Sequence, residues 1–220
     1  AGAGSVTAAW CAGGQEGTRV KLDNMEEWNG TSWAESNALN TGRAFAASAG
    51  TSTAGLVTAG QYTGGPGAGS SLTEAWNGTC WAEVNDLIVA TENGRGDGVQ
   101  TAAYIAGGGN TNDKNEQYNG TSWAEAADLN EGRSSMGASG TTTLGLIFGG
   151  SPQQASTEQF NGSSWTEIAD LSTARTVLTG SGTAAPNSLA AGGYQADYIY
   201  GDWTEEWDGA PAAVKTVTTS

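Results

Sequence analysis

The sequence predicts an all-β fold, a five-bladed β-propeller of four-stranded antiparallel blades, and three observations lead there. A phrase recurs: Trp28-Asn-Gly-Thr-Ser-Trp33, Trp76-Asn-Gly-Thr-Cys-Trp81, Tyr118-Asn-Gly-Thr-Ser-Trp123, Phe160-Asn-Gly-Ser-Ser-Trp165 and a degenerate Trp207-Asp-Gly209. The leading aromatics lie 48, 42, 42 and 47 positions apart, a period that suits one four-stranded blade and exceeds that of most helical repeats. The 220 residues hold 35 glycines and only 4 prolines, with turn signals closely spaced along the chain, the composition of many short strands. Neighbouring units bury each other's faces, so one domain is expected, with blades at approximately 1–38, 39–87, 88–129, 130–171 and 172–220.

The second unit shows the elements in order. Its first strand, Arg43 followed by AFAASAG, carries small side chains, as SSMGASG and VLTGSG do in later units, which a small ring requires of the strands nearest its axis. The second, Gly55 followed by LVTAG, is apolar and ends in glycine. After a loop from Gln61 to Leu72 come a third strand, Thr73-Glu-Ala-Trp76, and a fourth, Thr79-Cys-Trp-Ala-Glu-Val, ending near Leu87.

Asn-Gly between two strand-like runs predicts a hairpin with a type I′ turn, because that turn needs positive φ at both central residues. Such a turn would set Trp28 opposite Thr31 and Glu26 opposite Trp33. The aromatics then share one face of the blade and are expected to pack against the next blade. The last unit lacks a fourth-strand tryptophan, having Ala212 there, and Ala213 to Ser220 is the strand candidate that completes it. Closure between blades one and five would rest on face packing, with Ser220 near Ala1, and is the weakest joint in the ring.

An arginine opening the first strand, a glycine-terminated second strand (TAG, AGGG, FGG, AGG), Glu-x-aromatic on the third and Trp on the fourth together resemble kelch-type propeller repeats over the whole chain. The Glu-x-aromatic-Asn-Gly-Thr-Ser-Trp style, rich in Ala, Gly and Thr, is also similar to repeat proteins of marine bacteriophages and related bacteria. That resemblance implies a virion appendage or surface-decoration protein, located at a virion surface or extracellularly, with other assembly proteins or a host glycan as partners.

Candidate binding residues come from two places. Arg43, Arg95, Arg133 and Arg175 are read as one repeat position, so four guanidinium groups near the axis are able to capture a carboxylate or sulfate on a glycan. The alternative pairs them with the recurring acids Glu26, Glu74, Glu116, Glu158 and Glu205, or with strand-end carbonyls. Tyr194, Tyr198, Tyr200 and Trp203 form the aromatic-rich loop and are the sugar-stacking candidates. The loops between second and third strands vary most and share a face with the blade-to-blade connections, the usual place for recognition on a rigid scaffold. Arg95-Gly-Asp97 spells an integrin-type tripeptide, which the repeat arginine already explains.

The chain has no histidine, so Ser-His-Asp, Cys-His and histidine-metal constellations are excluded, as are the histidine copper ligands of a kelch-propeller oxidase family. Glu26-Glu27 and Glu205-Glu206 face opposite ways along a strand and make no glycosidase pair by themselves. Asn110 to Asn115 lacks the spaced acids of a calcium loop. No cofactor, metal or enzymatic activity is expected. The formal charge of −15 argues against nucleic-acid phosphates, and no apolar run is long enough for membrane insertion by a helix. Cys11 and Cys80 do not make a disulfide framework, and Asn29, Asn77, Asn119 and Asn161 match the glycosylation rule only because the hairpin wants Asn-Gly. The chain begins at Ala1 without methionine or signal sequence, as a processed protein or an excerpt would. A non-catalytic display or glycan-binding protein is the expectation, with a cellular lectin or protein-interaction module as the alternative.

Overall fold

The computed structural model describes residues 1–17, 19–62, 69–109, 112–183, 187–195, 200–208 and 214–216. Five antiparallel four-stranded sheets are arranged as a five-bladed β-propeller, consistent with a kelch-type repeat fold. The first blade is β1 (Gly2–Gly4), β2 (Ala9–Gln15), β3 (Lys21–Trp28) and β4 (Trp33–Ser36). A two-stranded ribbon of β5 (Arg43–Ala44) and β8 (Gln61–Tyr62) flanks the second blade, which is β6 (Ala47–Gly50), β7 (Gly55–Thr58), β9 (Thr73–Trp76) and β10 (Trp81–Val84). The third is β11 (Arg95–Val99), β12 (Ala102–Ala106), β13 (Asn115–Tyr118) and β14 (Trp123–Glu125). The fourth is β15 (Gly137–Gly140), β16 (Gly145–Phe148), β17 (Thr157–Phe160) and β18 (Trp165–Glu167). The fifth is β19 (Thr179–Gly182), β20 (Ser188–Ala191), β21 (Thr204–Trp207) and β22 (Val214–Thr216).

The innermost strands β1, β6, β11, β15 and β19 surround the axis, and each of the last four packs on its predecessor. Small residues are required where these strands approach one another closely. A Cβ on Gly180 would stand 2.1 Å from the Ala138 carbonyl oxygen of the preceding blade.

The Asn-Gly turn differs from the predicted type I′. Trp28 pairs with Trp33, Trp76 with Trp81, Tyr118 with Trp123 and Phe160 with Trp165, so the loop has four residues. Asn29 Oδ1 accepts from the N–H groups of Thr31 at 2.9 Å and Ser32 at 3.0 Å, and the Asn29 N–H donates to Ser32 O at 3.2 Å. The asparagine side chain supplies the acceptor itself and needs no left-handed backbone, leaving positive φ to Gly30 alone, at 91°. The arrangement recurs at Asn77, Asn119 and Asn161. The longer loop sets the two aromatics directly opposite each other, with ring centroids from 5.0 Å in Phe160–Trp165 to 5.6 Å in Trp28–Trp33. In the fifth blade, Val214 rather than Ala212 takes the register position opposite Trp207.

In blades two, three and four the aromatic pair is the receiving half of an interblade core, and in blade five Trp207 takes that part. Trp10 from the first blade meets Trp76 and Trp81 in the second. Leu56 meets Tyr118 and Trp123, Tyr104 meets Phe160 and Trp165, and Leu146 meets Ala190 and Trp207. The indoles also donate backwards: Trp81 Nε1 to Met25 Sδ, Trp123 Nε1 to Thr73 Oγ1, and Trp165 Nε1 to the Ala127 carbonyl. Among the described residues there is no corresponding core between blades five and one. Trp33 is 50% exposed, against 6% for Trp81 and Trp123 and 5% for Trp165, and Leu189, the fifth blade's counterpart of Leu146, is 42% exposed.

Candidate functional site

Arg43, Arg133 and Arg175 are buried, and each meets the third-strand glutamate of its own blade. Arg43 Nη2 lies 2.5 Å from Glu74 Oε1, Arg175 Nη2 2.9 Å from Glu205 Oε1, and Arg133 pairs in the same way with Glu158. A second guanidinium nitrogen of each donates to a carbonyl at the approach to that strand, those of Leu72, Ser156 and Trp203. Burial holds the Arg43 and Arg175 guanidinium groups below their usual range, and the partnering carboxylates oppose that shift.

The same carboxylates also hold the chain arriving from the preceding blade. Glu74 accepts from the N–H groups of Asn40 and Thr41, Glu116 from Ile88 and Val89, Glu158 from Asn130, and Glu205 from Ser172. Asn40 and Asn130 add their side-chain amides, reaching both the carboxylate and the carbonyl of Trp81 or Trp165. A buried ion pair with this many hydrogen bonds fixes one geometry for the connection between blades. Of the two alternatives for these three arginines, the structure places them in the pairing with the recurring acids.

Arg95 does not share their position, which corrects the sequence alignment. Phe45, Asn93, Ser135 and Val177 all have φ between 54° and 58° and form a collar around the axis. Asn93 N–H donates to Phe45 O, Ser135 N–H to Asn93 O and Val177 N–H to Ser135 O, at 2.8–2.9 Å. Two positions before each collar residue stand Arg43, Thr91, Arg133 and Arg175; Arg95 comes two positions after Asn93. The longer connection from Ile88 to Asn93 hid this shift, because the arginine spacing alone resembled the repeat.

Arg95 therefore opens β11, at the place where the other inner strands carry Ala47, Gly137 and Thr179. It lines a central channel of about 650 Å³ with Ala1–Gly4, Ala46–Gly50, Ala138 and Thr179–Thr183. Its Nη1 donates to the Gly94 carbonyl at 3.0 Å, and no carboxylate among the described residues forms an ion pair with it. Burial holds its guanidinium below the usual range. Asp97 lines the same channel and accepts from Gly98 N–H at 2.7 Å and Gly140 N–H at 3.0 Å. Burial raises the Asp97 carboxyl to about 6, while those two backbone donors pull the other way. Arg95-Gly-Asp97 thus runs along a strand at the channel wall. Sequence reading passed over Asp97; the available signal was two charged residues interrupting a strand type otherwise built from Ala, Gly, Ser and Thr.

Tyr194, Tyr200 and Trp203 are not among the residues that line this channel. Tyr194 and Tyr200 pack edge to face at 5.5 Å, Tyr200 being 75% exposed, while the Trp203 carbonyl accepts from Arg175. Tyr198 lies outside the described residues. Among the described residues no group of three His, Cys, Asp or Glu side chains is placed to hold a metal ion. Cys11 and Cys80 are free and exposed.

The chain matches no family model, and no curated protein matches it.

Proposed function

We propose that this propeller is a non-catalytic recognition and display module, a surface-decoration or appendage component of a virion that takes a host glycan at the axial channel. The observation that carries the reading is Arg95. Its three counterparts by type are consumed in buried ion pairs, whereas this guanidinium lines a channel of about 650 Å³ without a carboxylate partner among the described residues. A guanidinium offers paired donors to a sugar carboxylate or sulfate, and Asp97 beside it is an acceptor for a hydroxyl. Tyr200, exposed on the loop face, provides a stacking surface for a second sugar contact. The repeat style resembling marine bacteriophage proteins supports the virion placement, with a cellular lectin or protein-interaction module as the second reading.

A glycan-array screen of the 220-residue chain beside Arg95→Ala tests this. Selective binding to acidic glycans that disappears in the variant is the expected result. Binding that survives Arg95→Ala, or no binding to any glycan, would remove the channel from the function. Saturable binding with no presence of the protein in purified particles would favour the lectin reading.

A further inference from the structure

We infer that the face of the first blade bearing Cys11, Glu26, Trp28 and Trp33 is a docking site for an extended peptide of the Asn-x-Gly-Arg kind, supplied by the blade connection of another repeat unit. The other four blades show what this face is built to hold. In each, the third-strand glutamate, Glu74, Glu116, Glu158 or Glu205, is buried and accepts backbone N–H groups from an incoming connection. Twice that connection reads Asn-x-Gly-Arg, at Asn40–Arg43 and Asn130–Arg133, with both the asparagine amide and the arginine on the carboxylate.

Glu26 is the register equivalent of these residues. It pairs across the sheet with Cys11 on one side and Glu35 on the other, as Glu74 pairs with Val57 and Glu83. Yet Glu26 is exposed, and its carboxylate has no hydrogen-bond or ion-pair partner among the described residues. Cys11 is exposed too, whereas its counterparts Val57, Ile105, Ile147 and Ala190 are buried. The half-exposed Trp33 completes the set. The face thus has the carboxylate, the aromatic pair and the acidic neighbour Glu35 of an occupied blade, without an occupant among the described residues. Its negative charge favours a segment that carries arginine over an apolar strand alone.

Cys11 reports occupancy, because it stands directly opposite Glu26. The experiment uses the full chain with Cys80→Ser, serine being the residue at that place in three other repeats, so that Cys11 is the single thiol. Its rate of reaction with a maleimide is measured with and without a synthetic peptide of residues 39–46. The peptide is expected to slow the reaction several-fold at millimolar concentration, an Arg→Ala peptide is expected not to, and Glu26→Gln in the chain is expected to cancel the protection. Because Glu26 is exposed, that substitution leaves the fold intact. The inference is overturned if the peptide gives no protection, if it protects the Glu26→Gln chain equally, or if Cys11 is unreactive without peptide, which would mean the face is already covered.

Discussion

A glutamate on the third strand does different physical work depending on whether an arginine stands two positions before the collar. In blades two, four and five the carboxylate neutralises a buried guanidinium and also binds the incoming backbone. In blade three Thr91 takes the arginine's place, and among the described residues Glu116 holds only the N–H groups of Ile88 and Val89. Glu158→Gln leaves Arg133, which is 0% exposed, without its anion, and should cost about 3–5 kcal/mol, the range for breaking a buried pair from one side. Glu116→Gln keeps an acceptor and strands no cation, so a cost nearer 1–3 kcal/mol is expected from the weakened hydrogen bonds. Urea unfolding of both variants checks the difference, and equal losses would show that the guanidinium is not what makes Glu158 indispensable. The recurrence of Glu was legible in the sequence, but the choice between ligand capture and pairing was not, since both require the same residue types at the same spacing.

The hairpin between the third and fourth strands illustrates how an element can be foreseen with the wrong internal geometry. Asn-Gly marked the turn correctly, yet the asparagine acts through its side chain and lengthens the loop to four residues, which moves the register from Trp28–Thr31 to Trp28–Trp33. Dipeptide preference reports backbone freedom, and it is silent on whether Oδ1 will find two amides within reach. Asn119→Ala should therefore cost about 1–2 kcal/mol, because two N–H groups lose their acceptor in an exposed turn. A denaturation midpoint unchanged from wild type would show that the Gly120 conformation, at φ 90°, suffices to make the turn.

At the scale of the whole ring, stability is distributed over the interblade cores, and these are unequal. Trp123→Ala, in the core between blades two and three, should cost about 3–5 kcal/mol as a buried aromatic truncation. Trp33→Ala, at the same register position but half exposed, should cost no more than about 2 kcal/mol. Thermal unfolding of the two variants side by side checks this, and a Trp33→Ala loss as large as that of Trp123→Ala would mean the first blade's face is covered in solution. The sequence by itself determined the all-β class, the number of blades, the small residues of the inner strands and the aromatic core of the blades. All of these follow from local periodicity and from side-chain size, properties that a repeat writes out unit by unit. Only the tertiary structure decided that Arg95 stands apart from Arg43, Arg133 and Arg175, that Asp97 shares its channel, and that Glu26 is left uncovered. Those facts depend on how one inserted connection shifts a register and on which blade faces meet around the axis, and neither is a property of any single repeat.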